Sequence, residues 1–346
     1  MSNLVTIIIP TFERGEILKK SLKYWKIFPI NIIILDGSKT PSIETDYLAP
    51  NIQYFHLPIS IYKRVEFIAD KIEGEYAALI SDDEFLSYSA LVDAIKILDK
   101  NPDVSGVLGV TAAFKFKNHI KFKHIYKSAL NLNISSEKPT IRLEQRAEEC
   151  DNSIFYPLTR VSILSKAFRL IGNKEYTCTH IGEYQMEAVL CNFGKIVVMP
   201  QIFWFRSMDI LYISNNNFNR NIFFHDWIKE EKNSKDLLYL KDSVNKFMQN
   251  TESDFEQISG ELFVKIYSKS PKEFERDIRV PIFLNLYRYC IPFFIRKTVR
   301  ILLNFINGID KDNYHFNTNL FYAYLNKNKI KYNEDEFNFI IKLLKK

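Results

Sequence analysis

The alternation of strand and helix signals in its first hundred residues constrains this chain more than anything else in it. Residues 4–9 form an apolar run, with Thr6 its one polar residue, closed by Pro10. A run without a polar face is what a strand covered on both sides requires. A polar loop follows at 11–15, and Ile17, Leu18, Leu22 and Trp25 then recur at helical spacing. Apolar strands read again at 31–35, more weakly at 51–55, and at 76–80. Helices read at 60–72, with Ile61, Val65, Ile68 and Ile72 on one stripe, and at 91–98. This repetition predicts an α/β fold with a mostly parallel, doubly wound sheet flanked by helices. Ligands of such sheets bind beyond the carboxyl ends of the strands. Polar clusters at 11–14, 36–38 and 81–84 all fall at that edge, and their convergence says more than any one of them.

The third cluster carries the most chemistry. Asp82, Asp83 and Glu84 stand in a row directly after the apolar strand at 76–80. Three neighbouring carboxylates repel one another, and at the end of a buried strand they call for a compensating cation. In extended backbone Asp82 and Glu84 point the same way and Asp83 the other. Two such carboxylates suit a hard divalent ion that also binds phosphate oxygens and water. A solvated acidic turn before the helix near Ser89 has the same sequence. Asp36 before Gly37 and Ser38 is likewise what a strand-ending turn uses.

Other signals exclude classes. No GxGxxG follows the first strand and no GxxxxGK[ST] occurs, so dinucleotide and P-loop sites lack support. Cys150, Cys178, Cys191 and Cys290 are widely spaced with no CxxC pair, which argues against zinc ribbons and for reduced thiols. The net charge of +6 suits an anionic ligand or lipid surface, not a nucleic-acid track. Aromatic content of 14% leaves rings to spare for stacking on bases or sugars. No basic leader precedes the first strand and no apolar run is long enough to span a bilayer, so a cytoplasmic location is expected. The sequence turns Asn-, Lys- and Phe-rich after about residue 214, which suggests a first domain at 1–214 and a mainly helical region at 215–346. Read as a helix, 292–306 sets Ile295, Val299, Leu302 and Ile306 opposite Arg296, Lys297 and Arg300. That pattern fits peripheral contact with an anionic membrane as well as a packed surface helix.

In order along the chain, four segments resemble inverting GT-A glycosyltransferases of family 2. TIIIPTFERG (6–15) is similar to their PTYNR-type opening, and IIILDGS (32–38) to their second strand with its nucleotide-binding acid. GEYAALISDDEFL (74–86) resembles the segment with the DxD motif, and GEYQMEAVLCNFGKIVVMP (182–200) the GED-containing helix with the strand after it. The resemblance spans about residues 4–206 and leaves the rest uncovered. It implies transfer of a sugar from a nucleotide diphosphate sugar, UDP-linked by preference, to the hydroxyl of a glycan or lipid-linked glycan acceptor. The setting implied is bacterial surface polysaccharide synthesis.

By the same resemblance Mn²⁺ or Mg²⁺ is held by Asp82 and Glu84. The donor is bound by Thr11, Glu13, Asp36, Arg64, Asp82, Asp83 and Arg206, with Lys63 a rival to Arg64. Glu183 is the catalytic base, with Glu187 and Glu175 as alternatives. Two departures stand out: Tyr184 replaces the second acid of the family's pair, and Ser81 stands where many relatives begin their acidic motif. These favour a rival reading, a catalytically silent GT-A-like module that binds nucleotide or glycan. The remaining text reads as a strand at 104–114, a hairpin or loop at 114–127, helices at 163–171 and 183–191, and a strand at 195–199. His180 reads as a surface or supporting residue, since Gly182 weakens a helix that would hold it with Glu183, and Trp204 reads as core.

Overall fold

The computed structural model of the protein describes residues 4–44, 48–116, 120–148, 156–208, 222–249, 255–269 and 316–345. The segment 292–306, Cys150 and Cys290 lie outside the described residues. Among the described residues no helix is long and apolar enough to cross a membrane.

The expected alternation is present. Strand β1 (Val5–Thr11) leads to helix α1 (Gly15–Trp25), then β2 (Asn31–Asp36), β3 (Ile52–His56), α2 (Ile61–Ile68) and β4 (Tyr76–Leu79). The four strands are mutually parallel in the order β3-β2-β1-β4. Strands β1, β2 and β4 are mostly apolar because helices cover both faces, and Ile7, Ile8, Ile9, Ile32 and Ile34 are fully buried, whereas the edge strand β3 is only partly buried. A short β5 (Phe85–Leu86) and helix α3 (Tyr88–Lys100) follow. Helix α2 is shorter than its apolar stripe, since after Ile68 the chain tightens into turns closed by Ala69 and Lys71 amides.

The sheet then changes direction. Strands β6 (Val104–Phe116) and β7 (Ile120–Ile125) form an antiparallel hairpin, the hairpin alternative at 114–127. Helix α4 (Pro139–Glu148), strand β8 (Leu158–Arg160), α5 (Val161–Asn173), α6 (His180–Phe193) and β9 (Lys195–Ser207) complete it. The nine-stranded sheet runs β3-β2-β1-β4-β8-β6-β9-β5, with β7 paired to β6. This is the α/β architecture implied by the GT-A resemblance, a mostly parallel sheet flanked by helices with more helices after it. Two elements outrun the sequence reading. Strand β9 continues past Pro200 because a register shift against β6, from the Gly109–Met199 pair to Val110–Ile202, absorbs the residue that cannot donate. The Pro200 carbonyl instead accepts the Lys331 amide at 2.8 Å. Helix α6 starts at His180, so Gly182 does not delay it.

The described helices after residue 222 share the core of the sheet. Helices α7 (Phe224–Trp227), α8 (Ser234–Gln249) and α9 (Gly260–Tyr267) pack toward α4, α5 and α6. Helices α10 (Thr318–Lys327) and α11 (Glu334–Leu344) lie against β7 and α1. Much of the aromatic surplus is used here. The Phe337 ring meets Phe122 at 4.8 Å, Phe205 at 4.9 Å and Tyr322 at 5.1 Å between centroids.

Glu336 of α11 also caps α3. Its carboxylate accepts hydrogen bonds from the Tyr88 and Ser89 amides, the Ser87 and Ser89 hydroxyls, and the Tyr24 phenol. Free amides at a helix start and the dipole behind them both favour an anion there. Replacing Glu336 by Ala should cost about 2 kcal/mol of stability in urea unfolding. Glu336→Gln should recover part of that loss.

Candidate functional site

Register alone assembles the first part of the site. Thr11, the last residue of β1, pairs with Asp36 at the end of β2. Continuing the β1–β4 register sets Asp82 on the other side of Thr11. The Thr11 hydroxyl donates to Asp82 Oδ2 at 2.6 Å. Antiparallel pairing of Phe85 with Phe205 and Leu86 with Trp204 likewise places Glu84 opposite Arg206. The three loop clusters predicted to converge therefore do so at one sheet edge.

Asp36 is fully buried and already engaged. One oxygen accepts the Ser38 amide at 2.8 Å; the other accepts the Ser42 amide at 2.7 Å and the Tyr54 phenol. Burial pushes its pKa up, but the bonds from Ser38, Tyr54 and Ser42 outweigh this and hold it below the usual value. As folded, Asp36 orders the loop 36–42. Arg64 is also buried, and its Nη1 donates to the carbonyls of Thr11 at 2.9 Å and Leu35 at 2.5 Å. Its guanidinium lies so close to Gly37 that a Cβ there would stand 2.6 Å from Cζ. Arg64 thus ties β1 to β2 beneath the site, while Lys63 turns outward to Glu66 and the Gly172 carbonyl. Glu13 is exposed and accepts the Lys39 amide at 2.9 Å.

The acidic run carries its own cation, a residue that the motif reading missed. Arg14 places Nη1 at 3.0 Å from Asp82 and Nη2 at 2.6 Å from Asp83. The only local hint was its place in the TFERG stretch, three residues past Thr11 and one before Gly15. Glu84 is buried; the Trp204 indole donates to one oxygen at 2.9 Å and Arg206 Nε lies 3.9 Å from the other. Trp204 is therefore core, as expected, and a hydrogen-bond donor to the acidic run as well. The Arg206 guanidinium also sits over the rings of Trp204 and Tyr126, at 5.1 and 5.4 Å. Burial, with Asp83 nearby, raises the Glu84 pKa to about 8, and burial raises that of Asp82 to about 6 against the pull of Thr11 and Arg14.

A divalent ion does not fit these residues as they stand. Asp82 and Asp83 hold a guanidinium where the ion's charge would be needed, and Glu84 faces Trp204 and Arg206. Among the described residues no three metal-ligating side chains gather at one point.

Helix α6 supplies the other acids. Glu187 is buried and paired with Arg146 at 2.8 Å, and it accepts the Tyr267 phenol at 3.1 Å. Those partners engage both of its oxygens. Glu175 is exposed before the helix. Glu183, in the first turn, is only partly buried, and no donor among the described residues reaches it. Burial, helped by Glu187 and opposed by Arg146, raises its pKa to about 7. The buried phenol of Tyr156 has its pKa raised well above normal by burial and then by Glu84, Glu183 and Asp83. Tyr156 therefore stands within electrostatic reach of both the acidic run and Glu183. Tyr184 stacks on Tyr267 at 4.2 Å and does not replace the missing second acid. His180 stacks between Tyr184 and Phe223, in a supporting position.

No family model matches the chain, and no curated protein matches it. Among solved structures, TarS 1–349 of S. aureus superposes with a TM-score of 0.47 at 11% identity, covering 89% of this chain and 81% of that one. The same protein in complex with UDP-GlcNAc gives 0.43 at 14% identity, covering 72% and 74%. The longer TarS chain gives 0.43 at 11%, with 89% of this chain matched to 49% of that one. Likeness of this degree assigns no role to any residue here.

Two stability measurements follow from the acids of α6. Removing Arg146 strands a buried carboxylate, so Arg146→Ala should cost about 3–5 kcal/mol, and joint replacement by Met at 146 and Leu at 187 much less. For Glu183 the folded pKa lies above the unfolded one, so ionising it works against folding. The wild type should lose stability as pH rises from about 4.5 toward 7. Glu183→Gln should remove that loss and melt higher than wild type at pH 8; equal melting profiles at both pH values would refute the raised pKa.

Proposed function

We propose that this protein is an inverting glycosyltransferase acting on a nucleotide diphosphate sugar, UDP-linked first among candidates. The acceptor is the hydroxyl of a glycan or lipid-linked glycan in bacterial surface polysaccharide synthesis. The observation that carries this reading is the pairing of two unlike features. A polar cradle lies at three strand ends, and Glu183, a carboxylate poised near neutrality that no donor among the described residues reaches, is linked to it through Tyr156.

The chemistry asked of such a site is a single displacement. The acceptor oxygen forms a bond to the anomeric carbon while the bond from that carbon to the diphosphate oxygen breaks, and the leaving group takes the electron pair. Attack opposite the leaving group inverts the centre. The acceptor proton goes to Glu183, whose pKa near 7 makes it an effective base close to neutral pH. Trp204, buried, and Tyr156, half-buried, put apolar ring surface beside the acids and limit water that would compete with the acceptor.

The second reading, a silent nucleotide-binding module, is favoured by one observation: both Asp36 oxygens are occupied, so the proposed base-reading acid is not presented. Thermal stabilisation by UDP, GDP, CDP and dTDP tests the donor site that both readings share. A ligand at a hundred times its Kd should add about 2.7 kcal/mol, and no shift with any of them would overturn the site. Turnover separates the two. With a productive donor, kcat should rise with pH through about 7 and then level. Glu183→Gln should lower kcat by about 10²- to 10⁴-fold while nucleotide affinity stays unchanged. Donor binding without any transfer would favour the silent module.

A further inference from the structure

We infer that Arg14 is the resident cation of this site and that it binds the donor's diphosphate in place of a divalent ion. The inference rests on the donor-site reading above. Three acids in a row need positive charge, and the structure supplies it from the chain itself. Arg14 spans Asp82 and Asp83 with separate guanidinium nitrogens, at 3.0 and 2.6 Å. Arg206 stands on the far side, 3.9 Å from Glu84. Two guanidinium groups against three carboxylates leave little net charge to draw a doubly charged ion out of water.

The backbone is built to hold Arg14 in place. Glu13, the residue before it, adopts φ 54°, a left-handed conformation unusual for a side chain of its size. Two bonds fix that turn: the Glu13 amide donates to Ser38 Oγ at 2.7 Å, and the Lys39 amide donates to Glu13 Oε1 at 2.9 Å. Arg14 then sits at the start of α1, where its carbonyl accepts the Ile17 and Leu18 amides. A strained residue braced from a second strand-end loop fixes where the next side chain goes. A guanidinium carries five N–H donors in a planar fork, and the two acids use one edge of it. Its Nε is buried and has no hydrogen-bond partner among the described residues. The unused donors suit the oxygens of a diphosphate, which guanidinium binds with charge-assisted hydrogen bonds.

The test uses the full chain with UDP, GDP, CDP and dTDP in turn, by calorimetry and thermal shift, in EDTA and in Mn²⁺. Wild type should bind its preferred nucleotide with the same Kd in both buffers and should show no Mn²⁺ binding alone. Arg14→Ala should lose nucleotide binding at least tenfold in EDTA and regain it in Mn²⁺. The same variant should bind Mn²⁺ without nucleotide, since Asp82 and Asp83 are then unpaired. If that variant does not fold, Arg14→Lys keeps a charge with fewer donors and should bind more weakly than wild type yet remain indifferent to EDTA. Wild-type binding that falls tenfold in EDTA overturns the inference and leaves the donor site standing, and so does an alanine variant that binds as wild type does in EDTA. Absence of nucleotide binding by either protein in both buffers overturns the donor site itself, and the diphosphate role of Arg14 with it.

Discussion

The working edge of this protein is organised around three carboxyl groups at the mouth of a buried parallel strand, each of which must find a partner. The strand ends in Asp82, Asp83 and Glu84, and none of the three is left without a partner. Thr11 and Arg14 come from the neighbouring β1 loop; Trp204 and Arg206 come from β9, far along the chain. An unpaired buried charge costs several kcal/mol, so the acids hold these segments to one another as firmly as the segments hold the acids. The loop at 11–14, the end of β9 and the short β5 are thereby set at fixed distances around a common edge.

A second tier of polar contacts lies under the first. Arg64 reaches up from α2 to the carbonyls of Thr11 and Leu35, and Asp36 gathers the loop at 36–42. These two residues were expected to touch a donor directly. As folded they shape the floor on which Thr11 and Arg14 are mounted.

The sheet was legible because its central strands are mostly apolar, and that pattern follows from being covered on both faces. The convergence of three strand-end clusters was legible for the same reason, since parallel strands of matched register finish together. Arg14 was harder to see. Its meaning lies in a pairing across 69 residues with Asp83, which no local pattern displays. That Glu187 is the acid of α6 that pairs with Arg146 was likewise invisible, because the partner lies 41 residues earlier. Strand β9 was cut short at Pro200 by a sound local rule, which the register shift against β6 overrode. His180 belongs to α6 because tertiary packing carries the helix through Gly182.

Glu336 has a consequence that concerns time more than space. It is bonded to Tyr24, a residue 312 positions earlier, and it completes the start of α3. A ribosome adding roughly 5–20 residues per second separates those partners by roughly fifteen to sixty seconds. Throughout that interval the α/β sheet can pair its first four strands, while the amides that open α3 must make do with water. Synthesis of α11 therefore seals an element that lies beside the acidic edge. In a growing chain, the sheet can form early, but the edge acquires its final support only when α11 arrives.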